Sequence, residues 1–387
     1  MMTPTAVQDY LTTSSRIASG DFVFLVCQHG TESVLKQFLL YPNSPFRLAY
    51  SRPGLLTFKL DQPVSIPQHP LIRLAGRVIG QIEGQGGLEM AEHLKQLAFS
   101  SGQIVKTASL RPATSAIQTN NDSRGAVGVT FLAWEQLHIF ERDRAETGMF
   151  GFEPGTSPLS TEVGGLARQV LGNQLQINQI VEKGTRVLDC VLVDPNHWLV
   201  GWHSAEQVFE TWPGGVFPVT EPADMISRAY LKMAEGIAWS ALPFSAGDKV
   251  VEVGSAPGGA SQRLLDMGMH VTGVDPAEMD PMLLEHSRFE HWRSKSSAVK
   301  RKNYAKFRWL VADANVAPNY TLDCVGDIVN YPTSRIDGLI LTLKLSSYEL
   351  LDNLDEYLER IASWGFSRVG ARQLGHNRHE LCVVAQR

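Results

Sequence analysis

The chain has 387 residues, 43% of them hydrophobic and 19% charged, with a net charge of -5, values of an ordinary globular protein with room for two or three domains. Cys27, Cys190, Cys324 and Cys382 are scattered with no C-x-x-C pair, which argues against a zinc site or a disulfide framework and suits a reducing cytoplasm. No run approaches the roughly 18 apolar residues of a membrane helix, and the start MMTPTAVQDY lacks a basic residue followed by an apolar stretch, so neither membrane insertion nor secretion is expected.

In chain order, strands are predicted over residues 21–27 and 45–60, the second broken at Arg52-Pro53-Gly54, with a helix over 31–39 between them. A second helix is expected over 88–99. A polar Ser/Thr/Asn-rich loop at about 114–125 and a Gly/Pro-rich one at about 148–161 precede a strand pair over 186–202 that turns at Asp194-Pro195-Asn196. These elements make an α+β portion without internal repeats. From about Glu221 the pattern changes: apolar strand-like runs at 249–253, 270–274, 309–312, 338–343, 366–371 and 381–385 alternate with helical ones. Such alternation indicates a mostly parallel sheet covered by helices, with the last two runs as an antiparallel hairpin at its edge.

The stretch Val250 to Asp275 reads as a strand, a glycine turn, a helix and a second strand ending on an acid. That order builds a site for a nucleotide-like cofactor: Gly254, Gly258 and Gly259 permit backbone conformations and approaches a side chain would block, and Asp275 is placed to accept hydrogen bonds from ribose hydroxyls. The turn reads Gly254-Ser255-Ala256-Pro257-Gly258-Gly259, which is not G-x-G-x-x-G and has no basic residue nearby, so a pyrophosphate is disfavoured. S-adenosylmethionine, an adenosine without phosphate, fits better.

Downstream, residues 288–308 carry eight Lys or Arg against one acid, Glu290, with Trp292, Tyr304, Phe307 and Trp309 among or beside them. Cations neutralise phosphates and rings stack on splayed bases. Arg293, Lys300, Arg301, Lys302 and Lys306 are therefore candidate RNA contacts, against the plainer reading of a solvated basic loop.

Four blocks carry a resemblance: SRAYLK (227–232), the GSAPGG turn with Asp275, VADANVAP (311–318) with LTLKL (341–345), and ARQLGHNRHELCVV (371–384). In them the chain resembles the FtsJ-like family of S-adenosylmethionine-dependent ribose 2′-O-methyltransferases, and within it the RlmM-type branch that acts on bacterial large-subunit ribosomal RNA. The resemblance implies a Rossmann-like α/β methyltransferase domain at 221–387, a ferredoxin-like module at 1–75 and a THUMP-like RNA-binding region at 76–220. It also implies a cytoplasmic enzyme with RNA as partner and no metal; a monomer is the default expectation.

The family's Lys-Asp-Lys-Glu tetrad falls on Lys232, Asp313, Lys344 and Glu380, with Ser227, Ser255, Ala256, Pro257 and Asp313 joining the glycines and Asp275 around the donor. Methyl transfer to a hydroxyl needs alignment and a base, and a lysine serves as base only when neutral. Lys344 is the candidate, its pKa expected to be pushed down by partial burial and by Lys232. The chain departs from the family at Ala260 and at Leu345 and Ser346, and no acid matches the family's second cofactor contact. Rival readings are a methyltransferase acting on a base or a protein, and an RNA-binding scaffold without turnover.

Overall fold

The computed structural model describes residues 20–104 and 134–387; the polar stretch at 114–125 lies outside them. β1 (Phe22–Val26), α1 (Glu32–Leu39), β2 (Phe46–Arg52) and β3 (Leu55–Leu60) occupy the first predicted elements, with the turn between the last two made at Gly54, φ +76°. They are followed by β4 (Leu74–Glu83), α2 (Gly87–Ile104), β5 (Gln136–Glu141), α3 (Pro158–Leu171), β6 (Gln176–Ile177), β7 (Arg186–Asp194) and β8 (His197–Ser204). One eight-stranded sheet in the order β2-β3-β1-β4-β8-β7-β5-β6 joins all of these strands. β4 runs across residue 75, so a single sheet continues through the 1–75 and 76–220 stretches.

Four of these elements, β4, β5, α3 and β6, escaped the sequence, two of them for identifiable reasons. β4 has no clean alternation because Gly76 and Gly80 interrupt it and its register to β8 shifts between Val78 and Gly80; a Cβ on Gly76 would stand 2.6 Å from Phe24 Cε1, whose ring fills that space. α3 begins inside the stretch expected as a Gly/Pro-rich loop. Its start is set by Ser157, whose hydroxyl accepts from Ser160 N at 3.1 Å while Ser160 Oγ accepts from Ser157 N at 2.7 Å, with Pro158 in the first turn.

The C-terminal half alternates as predicted at the six expected runs, with one further strand, β11, inside the basic stretch: α4 (Ala229–Ser240), β9 (Lys249–Val253), α5 (Gly259–Asp266), β10 (His270–Val274), α6 (Pro281–Leu284), β11 (Phe289–Trp292), β12 (Trp309–Ala312), α7 (Pro318–Val329), β13 (Gly338–Lys344), α8 (Leu354–Ala362), β14 (Arg368–Arg372) and β15 (Glu380–Gln386). The seven-stranded sheet has the order β11-β10-β9-β12-β13-β15-β14. The first five strands are parallel; the inner four, β10, β9, β12 and β13, are buried almost throughout, which is why they read as largely apolar runs, whereas the edge strand β11 is only partly buried. β15 is antiparallel to β13 and to β14, so the expected hairpin is present, but it inserts β15 inside the sheet and leaves only β14 at the edge.

The strand order reverses between β9 and β12, and the crevice beyond the carboxyl ends of such a pair is where doubly wound sheets hold ligands. The two halves are packed together rather than tethered: Leu345 and Leu381 share one buried cluster with Val23, Leu25 and Phe58. Among the described residues no helix is long and apolar enough to cross a membrane, and no cluster of His, Cys, Asp or Glu suits a metal ion.

Candidate active site

The glycine turn lies at the switch point. Gly254 (φ +78°) follows β9, where its N–H donates to Val274 O at 3.0 Å, and a Cβ there would stand 2.9 Å from Ala314 Cα. Gly258 (φ +122°) opens α5, and a Cβ on it would collide with Leu283 Cδ1; one on Gly259 would collide with Ser227 Oγ. These three glycines therefore clear space for neighbouring chain, drawing α6, the segment after β12 and the lead into α4 around the turn. The cradle is formed by close packing of the protein on itself. Ser255 is buried, its hydroxyl 3.5 Å from Met279 Sδ.

Asp275 ends β10 as expected, and its carboxylate already accepts Ala256 N at 3.2 Å and Ala277 N at 2.8 Å. Each oxygen has accepting capacity left on its outer side for a ribose hydroxyl. Against Gly259 the Ser227 hydroxyl oxygen is buried with no hydrogen-bond partner among the described residues. A buried polar atom left unmatched is costly unless a ligand completes it, so the residues of the turn fit an adenosine-bearing donor. No basic side chain joins the turn to suit a pyrophosphate.

Lys232, Asp313, Lys344 and Glu380 come together although each sits on a different element. Lys232 lies in the first turns of α4, Asp313 directly follows β12, Lys344 is the last residue of β13 and Glu380 the first of β15, where the antiparallel register puts it opposite Lys344. Lys232 Nζ is 2.7 Å from Asp313 Oδ2 and 3.0 Å from Glu380 Oε1, and Lys344 Nζ is 3.0 Å from Asp313 Oδ1 and hydrogen-bonded to Glu380 Oε2. The four make a square of alternating charge in which each lysine touches both acids and neither lysine faces the other.

That geometry overturns the expected direction of the Lys344 pKa. Burial alone would lower it, but Asp313 and Glu380 outweigh burial and hold it above the ordinary lysine value. Burial likewise pushes both carboxyls up, and the two lysines outweigh it, keeping Asp313 and Glu380 below their usual range. At neutral pH Asp313 and Glu380 are carboxylates, and Lys344 is an ammonium.

Three further residues belong to the site and were not singled out from the sequence. Glu252, in β9, is fully buried; burial pushes its carboxyl up to about 8, and Ser261 Oγ donates to it at 2.5 Å. Its signal was an acid inside the run Val250-Val251-Glu252-Val253. Glu235, buried in α4, accepts Gly375 N at 3.1 Å and His376 N at 2.8 Å. Gln28 Nε2, from the N-terminal half, reaches Leu374 O at 3.0 Å and Asn377 O at 2.6 Å. The segment ARQLGHNRHE is thus clamped from both halves, and Asn377 Nδ2 completes it with a bond of 3.3 Å to Glu380 Oε1. This block, one of the four that carry the sequence likeness, is a structural clasp that aims the tetrad's glutamate.

The basic stretch is the crossover that parallel strands β11 and β12 require. Tyr304, Phe307 and Trp309 are buried, so the expected base-stacking by these three does not hold, and Trp292 is half-buried and packs edge-on against the first two. Arg293 pairs with Glu278 at 3.1 Å, Arg301 with Asp327 at 3.2 Å and Lys306 with Glu290 at 3.0 Å. Lys300 and Lys302 are exposed.

A doubly wound sheet with one reversed strand beside its edge, a glycine turn at the switch point and a charged tetrad beside it defines a Rossmann-like methyltransferase domain. Residues 225–336 match the family described as FtsJ-like methyltransferase. The chain is similar to ribosomal RNA large subunit methyltransferase M of Halorhodospira halophila, 29% identical over 182 residues, 46% of this chain and 52% of that one. It is similar also to the protein of that name from Marinobacter nauticus, 32% identical over 216 residues, 53% of this chain and 59% of that one. The matches thus span between about half and three-fifths of those relatives. Among solved structures, the fibrillarin pre-rRNA processing protein of Methanococcus jannaschii aligns at a TM-score of 0.34 with 11% identity, over 54% of this chain and 82% of that one.

Proposed function

We propose that the protein is an S-adenosylmethionine-dependent RNA ribose 2′-O-methyltransferase acting on ribosomal RNA. The supporting observation is the closed Lys232–Asp313–Lys344–Glu380 square beside the glycine turn, since nothing about folding alone calls for two lysines and two acids there. The donor supplies an electrophilic methyl group on a sulfonium. Asp275 and the Ser227 hydroxyl hold its ribose and neighbouring atoms, and Asp313 borders the donor while fixing both lysines. Once it has released its own proton to solvent, Lys344 Nζ takes the proton of the 2′-hydroxyl as the oxygen–methyl bond forms and the methyl–sulfur bond breaks, its electron pair remaining on sulfur as a neutral thioether. Lys232 and Glu380 keep the hydroxyl and Lys344 in line.

The sheet from β1 to β8 is read as the RNA-docking unit, divided by its expected modules at 1–75 and 76–220, ahead of the catalytic domain at 221–387. The same reading takes the protein as a cytoplasmic monomer. Among the described residues Lys300 and Lys302 lack the acidic partners that occupy Arg293, Arg301 and Lys306, so in the variant with Lys300, Arg301 and Lys302 changed to Ala the log–log salt slope of RNA binding is expected to fall by about 2. Unchanged RNA affinity and slope would remove this segment from the interface.

The activity is tested by incubating the protein with labelled methyl donor and large-subunit ribosomal RNA from cells lacking it, then mapping the label. Label on ribose 2′-oxygens is the expected result. Label on a base or on protein, or no transfer, overturns the proposal in favour of one of its rivals.

A further inference from the structure

The connection between β5 and α3 carries an aromatic side chain for which the fold has no use. Residues 146–153 close on themselves: Gly148 N donates to Phe152 O at 2.8 Å, Met149 N to Glu146 O at 3.0 Å and Phe152 N to Met149 O at 2.9 Å. The last bond brackets Phe150 (φ +52°) and Gly151 (φ +70°), both left-handed, which is the signature of a mirror-image type I′ turn. Such a turn favours Asn, Asp or Gly at its first central position, because a larger side chain there crowds the following carbonyl. Burying the ring would offset that cost, yet Phe150 is 93% exposed, with Met149 beside it 40% exposed.

This tip is docked on the rim of the tetrad. Arg378 donates through Nε to Thr147 O at 2.8 Å and through Nη2 to Gly148 O at 3.4 Å, and Arg228 makes two bonds to Glu153, of 2.6 and 2.8 Å. A Cβ on Gly148 would stand 2.6 Å from Arg378 Nη2 and 2.7 Å from Arg228 Nε, so this glycine lets both guanidinium groups close over the loop. Arg378 lies two residues before Glu380, whose N–H donates to Arg378 O at 2.8 Å, and Arg228 lies one helical turn before Lys232. The tip is therefore gripped by the near neighbours of two tetrad residues. Arg378 is exposed and its bonds go to carbonyls, which leave its charge to act on an anion.

We propose that Phe150 is a base-stacking residue for the RNA substrate, packing against the nucleobase beside the nucleotide whose ribose lies over Lys344, with Arg378 on an adjacent phosphate. Every base presents a π face, and an aromatic ring fixed at the end of a rigid turn engages it with little loss of side-chain freedom. The inference rests on the methyltransferase reading above.

The test compares wild-type protein with Phe150→Ala, Phe150→Trp and Phe150→Asn, using labelled donor and large-subunit ribosomal RNA from cells lacking the protein. Phe150→Ala is expected to raise KM for RNA about tenfold or more at unchanged KM for the donor, and Phe150→Trp to restore it. Phe150→Asn suits the turn, so it is expected to raise Tm while weakening RNA binding as Ala does, a split that a purely structural residue would not give. An active Phe150→Ala enzyme with unchanged KM for RNA overturns the inference and leaves the functional reading standing, as does Phe150→Trp performing no better than Ala. Wild-type protein that transfers no methyl to RNA overturns the functional reading, and this inference with it.

Discussion

Replacing Lys344 by alanine is expected to lower the rate of methyl transfer about 10²- to 10⁴-fold, the usual contribution of a positioned base, with donor binding retained. The sharper variant is Lys344→Arg. A guanidinium can keep contact with Asp313 and Glu380 but does not deprotonate in this pH range, so the protein should fold and remain inactive. Wild-type turnover by Lys344→Arg would remove Lys344 as the base. Because its two acids raise the Lys344 pKa, the wild-type rate should climb with pH, by up to about tenfold per unit, with no plateau below the ordinary lysine value of about 10.4. A plateau near neutrality would show that another group takes the proton.

The same shifts give the tetrad's stability a defined pH window. Lys344 is raised, so its contribution is complete below the unfolded lysine pKa and is lost as pH rises through the higher folded value. Asp313 and Glu380 are lowered, so theirs are present above the ordinary carboxyl values and are lost as pH falls through the depressed ones. Alkaline conditions that favour a neutral base therefore loosen the square that positions it, and rate and stability should part company at the high end of the profile.

Arg73→Ala is expected to cost about 3–5 kcal/mol of stability, the usual penalty for leaving a buried carboxylate without its partner. Arg73 and Asp143 have side chains 2% and 0% exposed, joined by bonds of 2.9 and 2.5 Å, and Arg73 Nε also reaches Gly214 O at 3.1 Å. Arg73 O accepts from Arg372 at 2.8 Å, and Asp143 lies a few residues ahead of the Phe150 tip, so the pair seats both the clasp and the tip. The midpoint of denaturant unfolding measures the loss. In the double variant Arg73→Met, Asp143→Leu most of it should return, since a matched apolar pair leaves no charge stranded; a double variant as unstable as Arg73→Ala would show that the pair acts through more than its mutual neutralisation.

Neither Arg73 nor Asp143 stood out in the sequence. One sits at the head of a strand with no alternation, the other just past β5, and nothing local announces that their charges are buried together. The rings of the crossover after β11 misled in the opposite sense: beside the cations they looked like an RNA footprint, but the core takes Tyr304, Phe307 and Trp309. Phe150 was passed over inside a stretch expected as loop, because an aromatic in a glycine-rich turn becomes unusual only once its positive φ and its exposure are known.

The sequence by itself determined six of the seven strands of the C-terminal sheet, the glycine turn and Asp275, because burial and left-handed backbone are local demands written directly into residue type, and it missed the partly exposed edge strand β11. Likeness to a family supplied the four tetrad residues. Tertiary structure alone decided what they are at neutral pH: Lys344 lies between two acids brought from β12 and β15, and its charge depends on those distances, which no spacing along the chain encodes. It also decided that ARQLGHNRHE is a clasp between the two halves, since its partners Gln28, Thr147 and Glu235 come from three distant parts of the chain.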